Sequence, residues 1–154
     1  MFAFSNLATI SGALQLYNGG NTDAAVRLLC KFYDRPGTPI EMLLNLPSTR
    51  LAVYGSLAPG ERNQHILTPI PGSWSRGSVY GTFSDTGWGT SLGFRSLVWD
   101  AGGGEVAVQV FESSELTAHW SRIDEFEGSD YRRILVPVVT SGGILVANLF
   151  AARP

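Results

Sequence analysis

The chain has 154 residues, 44% of them hydrophobic and 16% charged, with eighteen glycines and eight prolines. That is the composition of one turn-rich globular domain with a core of its own, not of a disordered chain. Eleven basic residues stand against thirteen acidic ones, a net charge of −2, and the basic ones are scattered, so nucleic-acid binding has no electrostatic footprint. Cys30 is the single cysteine and the two histidines, His65 and His119, lack metal-ligand spacing, which argues against a disulfide framework and a zinc site. Cys30 reads as a small buried hydrophobe. No segment approaches a membrane span. Residues 1–19 contain no Lys or Arg, so the basic start of a secretory signal is missing and a cytoplasmic location is the default expectation.

Up to about Pro47 the pattern is helical. Leu7, Ile10, Leu14 and Tyr17 fall at helix spacing, and Val26, Leu29, Cys30 and Tyr33 do so again, with Asn21 or Thr22 as cap. Thr38, Pro39 and Glu41 read as the N-cap, first helical residue and third helical residue of a capping box opening a short third helix. After Pro47 strands and turns take over: Leu51 to Tyr54, Ser78 to Phe83, Phe94 to Trp99 and Val106 to Phe111, with Ala101-Gly102-Gly103-Gly104 as one of the turns. Ser113 or Ser114 begins a helix whose Leu116, Trp120 and Ile123 form an apolar face, and Gly128 marks its exit. Two last strands, Ile134 to Thr140 and Ile144 to Phe150, are joined at Ser141-Gly142-Gly143. The order predicts an α+β fold with a mixed, curled or barrel-like sheet of about six strands and one inserted helix. A helical extension over residues 1–47 precedes this domain, which takes residues 48–154.

Two places carry candidate chemistry. The strand that ends at Tyr54-Gly55-Ser56-Leu57 is either an ordinary tight turn or a row of backbone N–H groups able to hold an anion. The spacing from Gly55 to Gly60 lacks the Lys and Ser/Thr of a phosphate loop. Some seventy residues on, Glu127 is either a solvated helix-end carboxylate or a general base, with repulsion from Asp124 and Glu125 raising its pKa. Tyr131 is a packed aromatic or a site hydroxyl. His119 reads as a surface residue, and Asn63 and His65 as loop residues.

The combination of these segments resembles the gamma-glutamylcyclotransferase-like superfamily, in its AIG2-like or gamma-glutamylamine cyclotransferase-like branch. Leu51 to Gly60 with Asn63 is similar to the family's opening strand and Y-G-S/T-L loop. Val79-Tyr80-Gly81-Thr82-Phe83 is similar to its G-x-L strand and Val106 to Phe111 to its G-x-V-[FY] strand. Ile123 to Gly128 is similar to its L-D-x-x-E-G signature, and Tyr131-Arg132-Arg133-Ile134 to its Y-x-R-x. The likeness covers roughly residues 50–150.

The resemblance implies an enzyme that cyclises a small-molecule gamma-glutamyl substrate to 5-oxoproline and releases the attached amine or amino acid, with no cofactor and no metal. It assigns Glu127 as general acid/base. Tyr54, Gly55, Ser56 and Leu57 become a backbone cradle for the substrate's carboxylate or carbonyl, and Tyr131 a hydrogen-bonding partner of the substrate or of Glu127. The family's G-Y-P segment is absent from Trp88 to Arg95, and Ala107 stands where a glycine is usual. A non-catalytic binding or interaction module on the same fold is the alternative. The roles open to residues 1–47 are covering a sheet edge, forming a homodimer contact or docking a partner.

Overall fold

The computed structural model describes residues 6–84 and 96–153. Three helices open the chain. Helix α1 (Leu7–Asn18) is capped by the Asn6 side chain, which accepts from the Thr9 amide at 2.9 Å, and buries Ile10, Ala13 and Leu14. Helix α2 (Thr22–Tyr33) ends where Asp34 turns left-handed, and Asn21 precedes it without a side-chain cap. The expected capping box is not formed. Pro39 stays extended at ψ 152° and is itself the N-cap of the short α3 (Ile40–Leu43), so Glu41 falls one position early. Its carboxylate instead reaches forward to the Ser48 amide and hydroxyl. Cys30 is half-buried rather than buried, its thiol 3.7 Å from the Thr38 carbonyl.

Among the described residues six strands follow: β1 (Arg50–Val53), β2 (Ser73–Ser84), β3 (Ser96–Trp99), β4 (Gly104–Glu112), β5 (Tyr131–Thr140) and β6 (Gly143–Ala152). Helix α4 (Trp120–Glu127) lies between β4 and β5, after a 3-10 turn over Ser114–Ala118 that Ser113 caps. The inserted helix is thus shorter than the apolar spacing suggested. The sheet runs β3-β2-β4-β1-β6-β5, and Ser78 of β2 pairs with Val139 of β5, closing five strands into a barrel with β3 outside it. Among the described residues only β1 and β6 pair in parallel, so the sheet is mixed. At the closure a Cβ on Gly77 would stand 2.5 Å from Val138 Cγ1 and 2.9 Å from the Val139 carbonyl, so the seam needs glycine there. Expected strands fell inside observed ones except at Tyr54, which lies one residue past β1; β2 begins five residues before Ser78, and Phe94 and Arg95 lie outside the described residues.

Three buried clusters result. Val79, Val108, Val136, Ala147 and Leu149 are among those filling the barrel. Leu51, Val53, Phe111, Leu116, Trp120 and Ile123 join the opposite face of β1 and β4 to α4. Ile10, Leu14, Leu29 and Leu44 pack α1 to α3 onto Leu135, Ile144 and Val146 of β5 and β6. The helices also meet the sheet through polar groups. The Asn18 side chain donates to the Leu135 carbonyl at 2.8 Å and accepts from its amide at 3.0 Å, standing in for a strand neighbour of β5. Arg50, 2% exposed, donates to the carbonyls of Val146, Leu44 and Asn45 and pairs with Glu112 at 3.2 Å. A buried guanidinium needs that many acceptors.

Candidate functional site

At the end of β1 the chain bends at Tyr54, whose ring turns toward the barrel filling. Its hydroxyl donates to the Phe150 carbonyl at 2.6 Å and accepts from the Leu97 amide at 3.0 Å. Burial holds this phenol well above its ordinary pKa; the Leu97 N–H opposes that, and the charges of Tyr131 and Glu127 add to it. Tyr54 is therefore a neutral strut between β1, β3 and β6, and only its backbone can serve as part of a cradle.

The following loop is fixed from below. Leu57 and Ala58 are buried, the Gly55 carbonyl accepts from the Ala58 amide at 3.1 Å, and the Ser56 carbonyl accepts from the Asn63 amide at 2.8 Å. With the carbonyls so engaged, the amides of Gly55, Ser56 and Leu57 donate to no acceptor among the described residues. Three successive N–H groups at a loop apex make an anion-binding concavity.

Glu127 is the last residue of α4, where Gly128 at φ 78° turns the chain out of the helix. The carboxylate is not solvated: Glu127 is 8% exposed. Burial pushes its pKa from the ordinary 4.5 up to about 7. Desolvation, and not repulsion from Asp124 and Glu125, is the cause. The residue's position is set by the preceding turn of helix. Arg133 of β5 grips Asp124 with Nε and Nη2 at 2.8 and 3.2 Å, donates through Nη1 to Asn148 Oδ1 at 3.0 Å and lies 4.2 Å over the Trp120 ring. Trp120 Nε1 donates to the Ser48 carbonyl at 2.9 Å, and Asn148 Nδ2 to the Pro47 carbonyl at 3.0 Å.

Tyr131, the first residue of β5, is buried, with its hydroxyl 3.3 Å from Ser96 Oγ. The Tyr54 phenol feels the charges of Tyr131 and Glu127, so both lie within electrostatic reach of it. Ser96, fully buried at the start of β3, was not singled out from sequence. A serine inside an apolar strand was the signal available. His119 precedes α4 with Nδ1 3.4 Å from Arg122 Nη2, and His65 is exposed in the turn Gln64–Ile66. Among the described residues no three His, Cys, Asp or Glu side chains gather as a metal site. No described helix is long and apolar enough to cross a membrane.

A model of the family described as gamma-glutamyl cyclotransferase, AIG2-like, matches residues 51–154. The chain belongs to that family. The AIG2-like match runs from β1 through β6 and takes in both site segments, while α1 to α3 precede it. Membership implies cyclotransferase-type chemistry at the level of the family. Among solved structures, YkqA from Bacillus subtilis is similar at 25% identity and TM-score 0.53, over 68% of this chain and 36% of that one. The chain thus spans about a third of YkqA's length. An AIG2-like protein from Mus musculus shares 17% identity at TM-score 0.53, over 68% of this chain and 76% of that one. A solution structure from Arabidopsis thaliana shares 22% at 0.50, over 67% and 61%. The latter two show the fold alone. No curated protein matches the sequence.

Proposed function

We propose that the protein is a gamma-glutamyl cyclotransferase that converts a gamma-glutamyl conjugate to 5-oxoproline and the free amine, with Glu127 as general acid/base. The observation that carries this is a carboxylate 8% exposed, with its pKa pushed by burial to about 7, beside the Tyr54 turn. A general base works best with its pKa near the operating pH, and an ordinary glutamate is too weak for that task.

The nucleophile belongs to the substrate. Its α-ammonium cannot attack until it loses a proton, which the Glu127 carboxylate takes. The α-nitrogen then bonds to the δ-carbon, and the δ-oxygen gains negative charge facing the Gly55, Ser56 and Leu57 amides. The bond from the δ-carbon to the departing nitrogen breaks as Glu127 returns its proton to that nitrogen, and the ring nitrogen gives its second proton to the released amine, which leaves as the ammonium. Holding a flexible glutamyl chain in the ring-closing pose supplies the remaining advantage. Tyr131, whose hydroxyl lies 3.3 Å from Ser96 Oγ, serves as a hydrogen-bonding partner of the substrate or of Glu127. Gly55 allows the substrate to approach the backbone closely.

Purified protein given gamma-glutamyl-amino acids, gamma-glutamylamines and glutathione should release 5-oxoproline from at least one. Glu127→Gln should lower kcat by about 10²- to 10⁴-fold, the range general acid–base catalysis contributes, with unchanged circular dichroism. Because the base must be ionised, kcat/KM of the parent should fall as pH drops below about 7. Full activity in the variant, or no product from any donor, sinks the assignment and leaves the non-catalytic binding module in its place.

A further inference from the structure

Beside the Tyr54 turn runs a groove of about 500 Å³, lined by Tyr54, Gly55 and Glu61 on the loop side and by Arg76, Ala107 and Gln109 on the strand side. Its floor follows from the register. Gln109 of β4 is the Cα partner of both Val53 of β1 and Arg76 of β2, and directly paired residues of antiparallel strands carry their side chains to one face. That face is not the barrel interior, which Ala52, Val108 and Val110 fill. Ala107, two residues from Gln109, shares the face, is exposed, and adds no bulk to the floor.

Arg76 is exposed and its guanidinium has no hydrogen bond, ion pair or ring contact with any described residue; the Gln109 side chain likewise has no partner among them. A guanidinium fork and a primary amide side by side on adjacent strands match a carboxylate, which the fork can hold with two parallel bonds. Glu61, on the opposite wall, disfavours an anion on the loop side, so the pair of walls fixes which way round a charged group lies. The groove begins at the two residues, Tyr54 and Gly55, that open the loop cradle.

We propose that this groove receives the released amine and that Arg76, with Gln109 beside it, reads a carboxylate there. The favoured donors are then gamma-glutamyl conjugates of amino acids or peptides, whose released amine ends in a free carboxylate, over conjugates of uncharged or cationic amines. This rests on the cyclotransferase reading above and adds to it the specificity residue for the released amine.

Gamma-glutamyl-L-alanine and gamma-glutamyl-L-alaninamide differ at the one group in question, so their kcat/KM ratio isolates it. The full-length parent should prefer the carboxylate donor by about 10- to 100-fold, the effect of a charge-assisted hydrogen-bonded pair. Arg76→Ala should bring the ratio near one, chiefly through KM for the carboxylate donor, and Arg76→Lys should restore part of it. A ratio near one in the parent, or one that Arg76→Ala leaves alone, overturns the subsite while the cyclotransferase reading stands. A second measurement needs no turnover: N-propionyl-L-alanine should bind the parent more tightly than N-propionyl-L-alaninamide by calorimetry, and Arg76→Ala should remove the difference. Selective binding without 5-oxoproline release would uphold carboxylate recognition in the groove and remove the enzyme. Equal binding of the two probes would overturn the groove assignment whatever the turnover.

Discussion

Asp124 and Glu127 sit about one helical turn apart on α4, and their surroundings differ in kind. Asp124 is gripped by the Nε–Nη2 edge of the Arg133 guanidinium, which is itself stacked on Trp120 and bonded through Nη1 to Asn148. Glu127 is buried within electrostatic reach of the Tyr54 phenol, and desolvation governs its pKa. One carboxylate contributes to the fold, and the other is held ionisable by the fold at a cost in stability. A helix tied down by the first can place the second within reach of a loop that lies some seventy residues earlier. Stability and the proposed chemistry are thus divided between two acids of one segment.

Substituting the amide for each acid tests that division, because the two changes should have opposite signs. Between pH 4.5 and about 7 the folded state keeps a proton on Glu127 that the unfolded chain has released, so this residue's contribution to stability declines as pH rises through that window. A difference of that size is worth on the order of 3 kcal/mol at pH 8. Glu127→Gln should therefore unfold at higher urea than the parent at pH 8, by up to about 3 kcal/mol, with the two converging near pH 4. A destabilised Glu127→Gln at pH 8 would show that the ionised carboxylate is compensated in place, and the contrast with Asp124 would fail.

Removing the grip should cost somewhat less. Arg133→Ala deletes the pair with Asp124, the bond to Asn148 and the stacking on Trp120 together, an expected loss of about 2 kcal/mol. Since α4 then loses its tie to β5, kcat should fall with little change in KM for the donor. An equal loss of stability with unchanged kcat would show that the helix end keeps its place without Arg133.

On the other side of the site, Tyr54→Phe leaves the Leu97 amide and the Phe150 carbonyl without the hydroxyl that links them. Stability should drop by about 1–1.5 kcal/mol in a urea titration. An unchanged midpoint would mean that the strand ends are held without this strut.

Much of this division was legible in the sequence, and what was not has a physical reason. The helix exit at Glu127-Gly128 was readable because a glycine at positive φ ends the helix, and the order of strands followed from period-two apolar patterns. The burial of Glu127 was not: three acids in four residues read as solvated or mutually repelling, and only packing of α4 onto β1 and β4 shows which one is sealed. The first half of β2, Ser73 to Gly77, has Trp74 as its one large apolar side chain on a strand paired with β4, so no apolar alternation announces it. Arg76 escaped notice for the same reason. The capping box around Thr38 failed because an extended Pro39 moved the helix start by one residue, a choice of backbone that the motif does not encode.

The smallest expected effect is the most discriminating. Asp124→Asn keeps the shape and one of the two oxygens that accept from Arg133, and removes the charge and the second acceptor. The pair is partly open to solvent, with side-chain exposures of 42% and 30%, so the loss should be about 0.5–1 kcal/mol. It should shrink further in 1 M salt, where exposed charges are screened within about 3 Å. Glu127→Gln at pH 8, acting on a carboxylate sealed from solvent, should keep its stabilising effect at the same salt concentration. If salt moved both variants alike, the two acids would share one environment, and the helix would not separate a structural charge from a working one.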